Sequence, residues 1–148
     1  MITIRTFLRS SEGTFQQVDA CEAPPADPYY IEGAVELNID GVEIIGRPEW
    51  DYVDQLWAYI ANMMHALRTQ DKASTYFPDQ PILLTFERRG NRVVVSAEAG
   101  ESTRRASADE SELFAAVRTA GREFFEKMSD LVPSNPGGYQ ISLAKLRE

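Results

Sequence analysis

The sequence predicts one α+β domain over residues 1–148: a two-layer fold in which an antiparallel sheet built from hairpins carries two helices on one face. The order is hairpin, helix, hairpin, helix after an N-terminal strand region. Three observations lead there. Apolar residues alternate on both sides of Asp40-Gly41 and again on both sides of Gly90-Asn91. Each alternating stretch is followed by apolar residues at three- and four-residue steps, the period of an amphipathic helix. A chain of 148 residues buries roughly two-thirds of its extended-chain surface in a single core, leaving no room for a second full domain.

Ile2 to Leu8 favour a strand, and the turn-like Ser10-Ser-Glu-Gly13 permits a return strand through Phe15 and Val18. Ala23-Pro-Pro-Ala-Asp-Pro28 lacks the backbone donors that a ladder needs, so it reads as a surface linker. From Tyr29 to Ile39 the apolar residues Tyr29, Ile31, Val35, Leu37 and Ile39 share one parity, while Glu32, Glu36 and Asn38 take the other. Asp40-Gly41 suits a two-residue turn of positive φ, which sets Ile39 opposite Val42 and Leu37 opposite Ile44. A first helix is expected from Pro48, with Val53, Leu56, Trp57, Ile60, Met63, Met64 and Leu67 forming its apolar stripe.

Gln70 to Pro81 shows no period and reads as a connecting loop. Ile82, Leu84 and Phe86, then Val93, Val95 and Ala97, form the second hairpin, with Phe86 opposite Val95 and Leu84 opposite Ala97. Ser107 with Glu110 has the spacing of a capping box and predicts the start of a second helix through Leu113, Phe114, Val117, Phe124, Phe125 and Met128. Gly121 lies inside that stripe, where a missing side chain allows close approach to the sheet or to the first helix. Pro133 and Asn135-Pro-Gly-Gly138 end the helix. The apolar groups of the tail, Tyr139, Ile141, Leu143 and Leu146, are expected to dock as a short strand or a helical turn.

Composition narrows the function classes. The start of the chain lacks the unbroken apolar stretch of a secretory signal, and no run reaches membrane-spanning length, so a cytoplasmic protein with no membrane partner is expected. Cys21 is the only cysteine, which excludes an internal disulfide and any multi-cysteine metal site; with Asp19 and Glu22 nearby it reads as an inert or merely exposed thiol. Net charge is −8, and it is unevenly placed. Between Glu12 and Asp54 eleven carboxylates face a single cation, Arg47, an excess of ten negative charges. Such a surface repels nucleic acid and favours basic proteins.

No catalytic motif emerges. His65 is the sole histidine and projects opposite the apolar stripe, with Asp54 too far along the same helix to orient it. Asp51 and Asp54 share a helix face, but acidic residues are expected in the first turns of a helix on dipole grounds. Glycine-rich phosphate loops, nucleophile elbows and metal-ligand spacings are absent, so neither cofactor nor metal is expected. Arg104 and Arg105 ahead of Ser107 at a helix N-terminus suggest an anion-binding site, and Ser107 also fits a basophilic kinase pattern.

The polar face of the central hairpin is the more prominent candidate. Tyr30, Glu32, Glu36 and Glu43 are expected to project from it, joined by Glu87 of the second hairpin, as a partner-binding row. Like charges on neighbouring strands repel, and a basic partner relieves that cost.

The stretch Tyr29-Tyr-Ile-Glu-Gly-Ala-Val-Glu-Leu37, the Asp40-Gly41 turn and Glu49-Trp-Asp-Tyr-Val-Asp-Gln-Leu-Trp57 together resemble small bacterial proteins of the toxin-neutralising immunity type. The resemblance implies a non-enzymatic, partner-blocking role and assigns no site residue. The leading expectation is therefore an acidic module that binds a basic protein partner. An acidic chaperone-like homodimer is a variant of it. A small-ligand or enzymatic domain, with a pocket using Tyr59, His65 or the Arg104-Arg105 pair, is the competing class, and a structural subunit whose apolar tail buries in a neighbour is a third.

Overall fold

The computed structural model describes residues 1–134 and 136–147 and has the α+β architecture, with antiparallel hairpins and helices covering their apolar faces. The hairpins divide between two sheets. The first contains β1 (Ile2–Arg9), β2 (Phe15–Gln17), β3 (Glu32–Ile39) and β4 (Val42–Ile45) in the order β2-β1-β3-β4, with the short β5 (Asp51–Tyr52) also on β3. The second contains β6 (Lys72–Tyr76), β7 (Ile82–Arg89), β8 (Arg92–Ala99) and β9 (Ser102–Asp109) as a simple meander. Three helices, α1 (Val53–Ala66), α2 (Glu110–Leu131) and α3 (Pro136–Leu146), pack among themselves and against both sheets.

The predicted turn between β3 and β4 is present: Asp40 (φ 49°) and Gly41 (φ 86°) both take positive φ, and Ile39 faces Val42. Beyond it the register departs from expectation. A bulge between Leu37 and Asn38 sets Leu37 opposite Ile45 instead of Ile44, and the extra residue lets Ile44 and Ile45 both bury. In the second hairpin Phe86 faces Val95 and Leu84 faces Ala97, as the alternation requires. Tyr29 departs from the strand parity: it lies in a turn before β3, is 83% exposed, and donates its backbone N–H to Asp27 Oδ1 at 2.9 Å.

Three boundaries differ from expectation for identifiable reasons. Pro48 sits in a 3-10 turn (Arg47–Glu49), and α1 starts only at Val53, because Asp51 and Tyr52 first pair with Gly33 and Glu32 of β3. The Gln70–Pro81 segment contains β6, an edge strand with only Ala73 buried, so its period is too faint to read. Ser107 does not cap α2. Residues 102–109 form a full strand, and Asp109 is the cap, accepting the Glu112 N–H at 3.0 Å.

The core joins all three helices through an aromatic chain. Trp57 of α1 stacks on Phe124 of α2 at 6.2 Å, Phe124 meets Phe125 edge-on, and Phe125 contacts Tyr139 of α3 at 5.7 Å. Trp57 also donates Nε1–H to the buried Thr6 hydroxyl at 3.0 Å, tying the helices to β1. Gly121 serves the close approach expected of it: a Cβ there would lie 2.7 Å from Leu146 Cδ1 and 3.0 Å from Trp57 Cζ3. The tail resolves as a helix, whose Tyr139, Leu143 and Leu146 bury in this chain's own core; Asn135, in the run expected to end α2, lies outside the described residues. No helix among the described residues is long and apolar enough to cross a membrane.

Candidate functional site

Strand parity places Thr3, Arg5, Phe7 and Arg9 of β1 on the same outer face as Glu32, Glu36 and Asn38 of β3. The expected acidic row is therefore interleaved with arginines. Arg9 Nη1 lies 3.0 Å from Glu32 Oε1 while its guanidinium covers the Trp50 ring at 4.1 Å. Glu36 is shared by Arg5 (3.9 Å) and Arg47 (3.8 Å), with its side chain only 12% exposed, and Arg47 lies over Phe7 at 5.2 Å. Glu43 faces Arg104 of the other sheet at 3.6 Å. Tyr30 remains 60% exposed and leans on Tyr52 with ring centroids 5.6 Å apart. Repulsion along the row is thus offset within the chain. Glu87 does not join the row: it lies on the other sheet and pairs with Arg89.

The anion site at Arg104, Arg105 and Ser107 loses its geometric basis, since these residues lie within β9 and not at a helix N-terminus. Successive strand residues point to opposite faces, so the two arginines diverge. Arg104 reaches Glu43 and Glu49 across the junction of the sheets, Arg105 lies on the outer face, and Ser107 Oγ accepts Arg92 Nε–H at 3.1 Å.

The eleven carboxylates of the acidic segment now separate into two groups. Glu32, Glu36, Glu43 and Glu49 face arginines, Asp40 meets the amino group of Met1, and Asp51 and Asp54 are engaged in the interior. Buried Asp51 accepts the Asp79 and Gln80 N–H groups through Oδ2 at 3.1 and 2.9 Å, which pins the loop before β7. Asp54 accepts the Tyr139 hydroxyl at 3.2 Å; burial pushes its carboxyl above the ordinary aspartate value, and that hydrogen bond offsets part of the rise. Neither is the simple dipole residue the spacing suggested. The earlier members, Glu12, Asp19, Glu22 and Asp27, have no ion pair among the described residues, and all belong to the first hairpin and the linker after it.

Two cavities flank that region. One, about 730 Å³, opens between the β1–β2 hairpin and the linker, with Glu22, Asp27, Arg9, Glu32 and Tyr30 on its rim. The other, about 490 Å³, lies between β1 and α2, with Asp19, Glu123, Glu126 and Asp130 around it. The α2 carboxylates were not foreseen. They fall at three- and four-residue steps on one helix face, a signal present in the sequence but separated from the end of the acidic segment at Asp54 by about seventy residues. The arginines of β1 were also passed over, because cross-strand neighbours appear only once the register is known.

Cys21 lies buried beneath the linker, where desolvation raises its thiol pKa, Asp19 adds to the rise and Lys127 opposes it; its Sγ donates to Gln17 O at 3.4 Å. His65 is exposed on α1 and is not among the lining residues of either cavity. Tyr59 lines a different recess, about 400 Å³, between α1 and β6. Among the described residues no group of three or more His, Cys, Asp or Glu side chains is placed to hold a metal ion. Comparison with protein-family models, with curated proteins and with solved structures finds no match for this chain.

Proposed function

We propose that this chain is a non-catalytic acidic module that captures a basic protein partner, as an inhibitor of the immunity type does. The observation that carries the reading is the division of the carboxylates. Those of the central hairpin are matched by the chain's own arginines, whereas Glu12, Asp19, Glu22 and Asp27 have no ion pair among the described residues and all belong to the first hairpin and the linker after it. Unmatched charge on a surface steers an oppositely charged partner and accelerates encounter. Tyr29 and Tyr30, both exposed at the end of the same linker, add the aromatic contact area that interfaces favour.

The test is a titration with polylysine at low salt. Reversal of Glu12, Asp19, Glu22 and Asp27 to Lys is expected to weaken binding by about tenfold or more while the domain still unfolds in one cooperative thermal transition. Reversal of Glu32, Glu36 and Glu43 is expected to lower stability first, since it sets cations against Arg5, Arg9, Arg47 and Arg104. Unchanged polylysine binding by the first variant defeats the reading.

A further inference from the structure

β2 covers only part of β1. Its three residues pair with Phe7, Leu8 and Arg9, after which a 3-10 turn (Val18–Ala20) carries the chain away and buries Val18. Upstream, Ile2–Thr6 pair with β3 on one side and, among the described residues, with no strand on the other. The turn geometry tells which residues address the open side. Ser10 N–H bonds Thr14 O at 2.8 Å toward β2, so at a period of two the backbone groups of Leu8, Thr6, Ile4 and Ile2 point the same way. Independently, the bond from Asp40 N–H to Met1 O shows that the odd residues address β3. Ile2 and Ile4 thus present both donor and acceptor on the open side, while Thr6, opposite Val18 where β2 gives out, offers its N–H, along roughly 13 Å of sheet edge at ~3.3 Å per residue.

This edge borders the cavity of about 490 Å³ between β1 and α2. Its apolar lining comes from Ile4, Val18, Ala120 and Phe124. Glu123, Glu126 and Asp130 are exposed along one face of α2, and Asp19 closes the end beside β2. The cations here are Lys127, Arg5, which faces Glu36, and Arg122, one residue beyond the lining, whose Nε lies 4.0 Å from Glu126 Oε1 on exposed helix surface. Glu123 and Asp130 face no arginine or lysine in an ion pair among the described residues. An open row of backbone groups beside an acidic wall fits a strand whose side chains are basic.

We propose that the Ile2–Thr6 edge of β1 is a strand-addition site for an extended basic segment of a partner protein. The segment continues the line of β2, exchanges backbone hydrogen bonds with Ile2, Ile4 and Thr6, and sets lysine or arginine side chains against Glu123, Glu126 and Asp130. The inference rests on the basic-partner reading above and moves the contact from the outer sheet face to the groove.

The experiment uses the full isotopically labelled chain and a decapeptide alternating lysine with valine, with a glutamate–valine decapeptide as control. Added lysine peptide is expected to slow hydrogen exchange of the Ile2, Ile4 and Thr6 amides by about tenfold or more, and the glutamate peptide is expected not to. Ile4→Pro, which removes a donor on the open side, is expected to abolish that protection. Glu123→Lys with Asp130→Lys, both on exposed positions, is expected to weaken binding by about tenfold or more and keeps the question decidable if Ile4→Pro fails to fold. Lysine-peptide binding that protects none of the three edge amides overturns strand addition and leaves the basic-partner reading standing. No binding of the lysine peptide anywhere overturns both. A concentration-dependent dimer in light scattering that Ile4→Pro dissolves would assign the edge to a second copy of the chain and overturn the proposal.

Discussion

Asp51 and Asp54, three residues apart, show how little a shared side-chain type says about role. Asp51 is a buried anchor for the Asp79 and Gln80 amides, and Asp51→Ala leaves those two part-buried donors without their acceptor. A loss of about 2–3 kcal/mol in urea unfolding is expected, and a loss below a few tenths would show the loop to be held by other contacts. Asp54 is set the other way. Its folded pKa lies above the unfolded value because burial disfavours the charge, so the folded state binds the proton more tightly. Stability from this group is therefore present below the ordinary aspartate value and lost as pH rises through the raised one. Asp54→Asn keeps an acceptor for the Tyr139 hydroxyl and removes that slope. The variant is expected to match the wild type in acid and exceed it at neutral pH, as measured by chemical denaturation at several pH values.

Among the elements, the strongly periodic ones were the legible ones. Val53 to Leu67, the β7–β8 hairpin and the Asp40-Gly41 turn follow from spacing alone, because each is half buried and its apolar residues mark the buried side. β6 and β9 escaped for the opposite reason. They are edge strands rich in Ala, Ser, Thr and Arg, with almost no apolar alternation to mark them. Missing β9 created an apparent helix N-terminus at Ser107 and, with it, an anion site that the strand dissolves. The packing element that the sequence did announce is Gly121. Gly121→Val places side-chain atoms against Trp57 and Leu146 where even a Cβ is too close, and about 1–3 kcal/mol of destabilisation is expected in thermal or urea unfolding. An unchanged midpoint would mean that α3 can shift outward without cost.

Taken whole, the molecule divides its charge by region. Arginines of β1 and of the turn before β5 offset the outer face of the first sheet, Arg104 links the two sheets, Arg122 pairs with Glu126 on α2, and the unmatched carboxylates belong to the first hairpin, the linker after it and the Glu123 and Asp130 positions of α2. Sequence position showed the acidic excess but not this division, since pairing depends on which strands become neighbours. Unmatched like charges repel, and salt screens them over about 8–10 Å at ordinary ionic strength. Raising the salt from about 0.01 M to about 0.15 M is therefore expected to raise the melting temperature while weakening capture of a basic partner. A fall in both would indicate that the arginine pairs dominate the chain's electrostatics.

The single thiol adds an unplanned utility. Cys21 lies buried on the wall of the cavity beneath the linker, beside the 3-10 turn that ends β2, with its reactivity held down by burial. A thiol reagent gains full access when the linker or that turn moves, so the rate of modification reports openings around the first hairpin in the unaltered protein. The chain carries its own clock at the place where its first sheet is left unfinished.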